Sequence, residues 1–318
     1  MKGHTKIEIK MTDSMDERDG FIWMNGTFVP WKEAKIHVLT HTLHYGMGVF
    51  EGIRCYKISK GGAIFRLKDH IDRLFKSAKI FEMKIPYDEN VIFDAVIESI
   101  KKNSLYSCYI RPLVFYGPEK MGLSTKGCTV NVMVATWHWG TYLGEEGLSK
   151  GIKVKTSSFT RHHVNSALVR AKACGYYINS ILAHQEVSRY GYDEALILDT
   201  DGYVSEGAGE NIFIVRNRML ITTDLSTCLE GITRDTVIAL AKNLNIKLIE
   251  KRITRDEIYT SEEAFFTGTA AEITPIVSLD DRIIGSGRIG PVTEELQTLF
   301  FRVVNGESKQ YKQWLTYI

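Results

Sequence analysis

Lys172 lies in the segment SALVRAKACGYYINS (166–180), and Glu206 follows 34 positions later in SEGAGEN (205–211). A lysine amine condenses with an aldehyde to form a Schiff base. An aldehyde cofactor of the pyridoxal phosphate type further requires an acid at its ring nitrogen and a cradle for its phosphate. Glu206 is the candidate acid: a carboxylate there keeps the ring nitrogen protonated, so the ring withdraws electrons from a carbanion at the substrate α-carbon. Tyr177, five residues beyond Lys172, offers a hydroxyl for the cofactor's phenolic oxygen. SEGAGEN is not a dinucleotide loop, since the third glycine is missing and the apolar run NIFIV that follows reads as a strand.

The anion cradle has three candidate parts. GIT (231–233) opens a helix, and helix N-termini present free N–H groups; Ile232 and Thr233 stand there. TGTA (267–270) is a turn of small residues whose backbone can approach a phosphate. Arg66, at the end of GGAIFRL, is the expected counter-charge. The first half of the chain carries a different group: HYGMGVFEGIR (44–54), YIRP (109–112) and WHWGTY (137–142). Aromatics interleaved with arginines suit an apolar pocket that must also hold a carboxylate. Tyr109 and Arg111, two apart in a strand, share one face.

These residues need elements to hold them. FIWMNGTFVP (21–30) reads as a hairpin around Asn25-Gly26. VFEGIRCYKI (49–58) alternates like one strand, and CYIRPLVFY (108–116) and TVNVMVATW (129–137) suit buried strands. Helices are expected over about 67–81 and 89–102. A boundary is expected near residue 145, in the glycine- and charge-rich WGTYLGEEGLSKG. It separates a smaller domain (21–145) from a larger one (146–318), with residues 1–20 as a partly ordered arm. In the second half a strand (151–159) precedes a long helix over about 171–190, which would carry Lys172. Hairpins follow at 194–206 and 211–223, then a helix at 231–244, a strand at 262–270 and a last helix at 292–304. Mixed strands and helices without a regular βαβ repeat predict an α+β fold.

Composition narrows the function classes. Net charge is +2 and no basic cluster stands out, which argues against nucleic acid. No apolar run approaches the ~18 residues of a membrane span. The polar, mixed-charge first twenty residues do not resemble a signal peptide, so a cytoplasmic location is expected. The five cysteines are widely spaced with no C-x-x-C pair, so no metal site is expected.

Taken in order, HYGMGVFEGIR, YIRP, Lys172 with Tyr177, SEGAGEN, GITRD and TGTAAEITP (267–275) resemble the branched-chain-amino-acid aminotransferases, among the fold-type IV (class IV) pyridoxal-phosphate enzymes. The resemblance spans about residues 21–305. It implies two domains with pyridoxal 5′-phosphate between them, and a homodimer as the minimum working unit, alone or within a higher homo-oligomer built of dimers. It implies that Lys172 binds the cofactor and moves the proton, and that Glu206 meets the ring nitrogen and Tyr177 the phenolic oxygen. Arg66, Ile232, Thr233 and Thr269 would hold the phosphate. Tyr109 and the Ala270-Ala271 backbone would receive the substrate α-carboxylate. Phe50, Trp139 and Tyr142 would line the side-chain pocket. Tyr45 and the loop near Leu123 would belong to the neighbouring subunit's site. The implied reaction moves the amino group of leucine, isoleucine or valine to 2-oxoglutarate, giving glutamate and a branched 2-oxo acid. Arg111, supported by Arg54, is the candidate partner for glutamate's second carboxylate. After Lys172 the sequence Ala173-Cys174-Gly175-Tyr176 departs from a more glycine-rich family pattern. A D-amino-acid aminotransferase or an aminodeoxychorismate lyase would share Lys172 and Glu206; Tyr45, Tyr109 and Arg111 favour the branched-chain pattern.

Overall fold

A computed structural model describes residues 14–140 and 142–318. Most of the N-terminal arm, residues 1–13, and Thr141 of WHWGTY therefore lie outside the described residues.

The first half begins with β1 (Phe21–Met24) and β2 (Thr27–Pro30), joined by Asn25 and Gly26 with φ of 49° and 91°. Two successive positive φ values are what a tight hairpin turn of this kind needs. Next come α1 (His41–Tyr45), β3 (Gly48–Phe50), β4 (Ile53–Lys57) and β5 (Gly62–Phe65). Helices α2 (Leu67–Ile80) and α3 (Glu89–Asn103) precede β6 (Cys108–Tyr116) and β7 (Val130–Trp137). The expected single strand over 49–58 is two strands. The break at Glu51-Gly52 falls opposite Pro112, which has no N–H for the ladder, though Glu51 N still donates to Pro112 O at 2.9 Å.

The second half holds α4 (Gly144–Lys150), β8 (Ile152–Thr160), α5 (Tyr177–Ser188), β9 (Glu194–Leu198), β10 (Val204–Gly207), β11 (Asn211–Arg216) and β12 (Met219–Thr222). It continues with α6 (Ile232–Asn243), β13 (Leu248–Glu250), α7 (Arg255–Tyr259), β14 (Glu263–Gly268), β15 (Glu272–Leu279), β16 (Arg282–Ile283), α8 (Pro291–Val304) and β17 (Leu315–Tyr317). The long helix expected over 171–190 starts only at Tyr177. Upstream, tertiary bonds hold the chain out of helix: Ala173 bridges to Val49, Phe50 N donates to Lys172 O (3.0 Å), and Gly175 N donates to Gly46 O (3.1 Å). Such contacts override local helix propensity.

Among the described residues, the first sheet runs β17-β5-β4-β6-β7-β1-β2, with β3 also on β6, and its pairs are antiparallel. The second runs β10-β9-β8-β15-β14-β11-β12-β13, with β16 on β15, and mixes both senses. The architecture is the expected α+β fold.

Period-two alternation on β6 divides its side chains. Ile110 and Val114 enter the core under α2 and α3, with Leu67, Ile71, Leu74 and Ala78 of α2. Tyr109, Arg111 and Leu113 face the other way, into a cavity between the sheets. A second core joins α6 and α8 to Phe213 and Phe265, and takes in Phe65 and Leu315 of the first sheet.

Candidate active site

The cavity has a volume of about 470 Å³. From the first sheet it is lined by Phe50, Gly52, Tyr109, Arg111, Leu113 and Met133, with Arg73 of α2. The segment after β7 adds Trp139 and Tyr142, and from the second half come Lys172, Cys174, Tyr177, Glu206, Ile232, Thr233 and the turn Thr267–Ala270.

Lys172 occupies the extended stretch before α5. Its N–H donates to Ser77 Oγ (3.1 Å) and its carbonyl accepts from Phe50, so its backbone is held on both sides. Its Nζ donates to Tyr177 Oη at 2.7 Å and lies 5.1 Å from the Phe50 ring centroid. Glu206, buried on β10, accepts from Leu229 N at 3.2 Å and pairs with Arg161 at 2.9 Å. Burial raises the Glu206 carboxyl above the usual range, and the Arg161 guanidinium opposes that rise. Arg161 had no motif of its own in the sequence. Its terminal nitrogens also donate to Asn179, Ser180 and the Gly207 carbonyl, so it ties Glu206 to α5 and the SEGAGEN turn.

The candidate phosphate end lies at the start of α6. Gly231 caps that helix without any side-chain bond, so the free N–H groups of its first turn stay available beside the cavity lining of Ile232 and Thr233. Thr267 Oγ1 is buried in the same wall without a partner. Thr269 and Ala270 line the turn; Ala271 lies behind it, its carbonyl accepting from Thr274. An uncapped helix, an unpartnered hydroxyl and a turn of small residues fit a phosphate group.

Two arginines stand elsewhere than expected. Arg66 does not line the cavity: it begins α2 with φ of 52°, and its guanidinium bonds Asp69 (2.5 Å) and Asp235 (2.9 Å) over the Trp314 ring. The arginine of α2 that lines the cavity is Arg73, two helical turns further along. Arg54 donates to the carbonyls of Thr269 (2.9 Å), Ala270 (2.9 Å) and Gly140 (3.1 Å). It braces the phosphate turn from behind and does not reach the cavity.

Arg111 does reach it. Its guanidinium carbon lies 4.6 Å from the Phe50 ring centroid and 5.4 Å from that of Tyr109. Its one side-chain bond is a long one to Tyr109 Oη (3.5 Å), and its Nε is buried without a partner. An aromatic-walled guanidinium with unspent donors suits an anion. Gly52 makes room for this arrangement, since a Cβ there would stand 1.8 Å from Tyr109 Oη. Trp139 meets Tyr109 edge-on at 4.4 Å, and Tyr142 packs on Trp139 at 6.0 Å. Cys174 lines the cavity with its thiol pushed up to about 11 by burial, so it is a neutral packing group. Tyr45 points away from this cavity and accepts from Gly122 N at 3.1 Å, beside the outward-facing Leu123.

A half-buried lysine on a tyrosine, a carboxylate lining the same cavity and a turn and helix start suited to a phosphate are the groups a pyridoxal-phosphate enzyme needs. The family model described as amino-transferase class IV matches residues 48–279. The chain belongs to that family. It is 56% identical over 305 residues to the branched-chain-amino-acid aminotransferase of Pseudomonas aeruginosa, covering 96% of this chain and 99% of that one. It is 45% identical over 297 residues to the Escherichia coli K12 protein of the same name, covering 93% and 96%. The structure of the T.th. branched-chain amino acid aminotransferase with pyridoxamine 5′-phosphate superposes with a TM-score of 0.92 at 48% identity, covering 94% and 99%. The same T.th. protein complexed with N-(5′-phosphopyridoxyl)-L-glutamate superposes at 0.90 and 46% identity, with the same coverage of 94% and 99%.

Proposed function

We propose that this chain transfers the amino group of L-leucine, L-isoleucine or L-valine reversibly to 2-oxoglutarate, in two half-reactions at one site. The observation that carries the reading is Arg111: a cation with free donors, walled by Phe50, Tyr109 and Trp137, in the same cavity as Lys172. The aromatic walls reward burial of a branched side chain at ~25 cal/mol per Å². Glutamate's second carboxylate would be costly there unless paired, and Arg111 is the group that pairs it.

When bound, pyridoxal 5′-phosphate supplies the electron sink that lets the substrate's α-proton leave. Lys172 Nζ takes that proton and returns it, acting as base and then acid. Tyr177 orients Lys172 Nζ and meets the phenolic oxygen. Glu206 holds a proton on the ring nitrogen, and Arg161 holds Glu206. Arg73, the first-turn N–H groups of α6 and Thr269 hold the phosphate. Tyr109 and the backbone at Ala270 receive the α-carboxylate, while Phe50, Trp139 and Tyr142 shape the side-chain pocket. The reading includes a division near residue 145, with β17 returning to the first sheet. It also includes a cytoplasmic homodimer in which Tyr45 and Leu123 complete the partner's site. Among the described residues, no helix is long and apolar enough to cross a membrane.

The test is the visible absorption of the purified holoenzyme. It should change on adding L-leucine and return with 2-oxoglutarate. A spectrum that ignores L-leucine and responds to D-alanine would move the protein to the D-amino-acid branch.

A further inference from the structure

Behind Arg73 lies Glu51, a carboxylate with no exposed surface. Its Oε1 accepts from Arg73 Nε at 2.7 Å, and its Oε2 from Arg73 Nη2 at 2.8 Å and from His70 Nδ1 at 2.7 Å. The first two bonds form a parallel fork, the most directional contact an arginine makes. Arg73 Nη1 donates to Glu230 O at 2.8 Å, next to the Gly231 cap of α6. A guanidinium has five N–H donors. One on each terminal nitrogen of Arg73 is therefore left for an anion in the cavity.

Burial alone would raise the Glu51 carboxyl, but the Arg73 guanidinium overrides it and holds the group far below the usual carboxylate range. Burial lowers His70, against the pull of Glu51, so His70 donates as a neutral ring. The cluster thus spends a buried negative charge directly behind a cation that has to attract a phosphate. As pure electrostatics that placement weakens the site. What it gains is orientation: the fork removes the side-chain freedom that Arg73 would otherwise lose on binding.

The same two pieces of chain also hold Lys172. On α2, His70, Arg73 and Ser77 lie on one face, and Ser77 Oγ accepts from Lys172 N. At the end of β3, Phe50 N donates to Lys172 O while its neighbour Glu51 holds Arg73. The separation between Lys172 and Arg73, which must match the cofactor's aldehyde carbon and phosphate, is set by this frame.

We propose that Glu51, braced by His70, is a positioning residue that aims Arg73 at the cofactor's phosphate and fixes its distance from Lys172. The inference rests on the reading that Arg73 meets that phosphate. The experiment titrates apo-protein with pyridoxal 5′-phosphate and, separately, with pyridoxal, which has no phosphate. Glu51→Gln should weaken pyridoxal 5′-phosphate binding by about ten- to a hundredfold, the range expected for losing charge-assisted hydrogen bonds. Pyridoxal binding should stay unchanged, because Lys172 and Glu206 are intact. In an Arg73→Gln background, Glu51→Gln should add no further loss. Equal losses for both ligands, an undiminished loss in the Arg73→Gln background, or no loss at all would overturn the proposal. If Arg73→Gln alone leaves pyridoxal 5′-phosphate affinity intact, the assignment of Arg73 fails instead. Should Glu51→Gln not fold, His70→Phe decides by the same comparison, with a smaller loss confined to the phosphorylated ligand.

Discussion

Arg111 and Lys172 carry the two most direct tests at the scale of single residues. Removing Arg111 leaves glutamate's second carboxylate unpaired in an aromatic wall, and a hydrogen bond to a charged group contributes ~1.5–3 kcal/mol. Arg111→Ala should therefore cost glutamate and 2-oxoglutarate about ten- to a hundredfold in kcat/KM, while leucine loses less than about threefold. Equal losses for both in steady-state kinetics would mean that Arg111 does not read that carboxylate. Lys172→Ala should abolish transamination and keep the thermal transition, because its backbone bonds to Ser77 and Phe50 survive; near-normal turnover would remove the lysine from its role. Lys172, Tyr177 and Glu206 were legible in the sequence because they stand in short motifs whose order along the chain is itself specific. The place of Arg73 in the cavity wall was not. Arg66 and Arg73 lie seven positions apart, at the start and middle of α2, and sequence alone does not say which turn of a helix faces the cavity. The signal lay in the glutamate of FEGIR: a buried Glu51 demands a cation, and Arg73 supplies it. The placement of Arg54 was hidden for a related reason: its donors go to the Thr269 and Ala270 carbonyls, which no sequence pattern displays.

At the scale of elements, the Leu229–Gly231 segment ties the two ends of the cofactor site together. Leu229 N donates to Glu206, Leu229 O accepts from Asn211 Nδ2 (2.9 Å), and Gly231 then opens α6. Gly231 is required by crowding: a Cβ would stand 2.0 Å from Asn211 Oδ1. Gly231→Ala should push α6 away from Asn211 at a cost of ~1–3 kcal/mol. The expected result is a lower apo-protein Tm together with about tenfold weaker pyridoxal 5′-phosphate binding. A lower Tm with unchanged affinity would show that the cradle does not depend on this contact. The strands and the amphipathic helices were readable from periodicity, as β6 and α2 show. The start of α5 was not, because Val49, Gly46 and Phe50, far earlier in the chain, hold 172–175 out of helix. Strand β17 was equally hidden: three residues that pair with β5 across the whole chain leave no local signature.

At the scale of the whole molecule, one face is unfinished. Val38 and Leu43 are 70% and 65% exposed, and Leu123 is 93% exposed. Beside them an apolar groove of about 410 Å³ is lined by Ile22, Met24, Ile36, Leu43 and Phe115, and it shares Leu113 and Met133 with the cavity of Lys172. A contiguous apolar patch next to a polar reaction site marks an interaction surface. In the proposed homodimer the second copy would cover this groove and meet the outward-facing Tyr45 and Leu123. His41 Nε2 and Gly122 O lie 2.9 Å apart, and Gly122 N donates to Tyr45 Oη, so two hydrogen bonds tie α1 to the 117–128 loop. A charge placed in the groove's rim would be buried unpaired on dimerisation, which costs several kcal/mol. Leu43→Asp and Val38→Asp together should therefore yield a monomer by sedimentation, with an intact thermal transition and little transamination, since each site would lack its neighbour's Tyr45 and Leu123. A monomer with full activity would show that each chain completes its own site. A dimer that persists despite both charges would place the interface on another face and leave this groove to a different occupant.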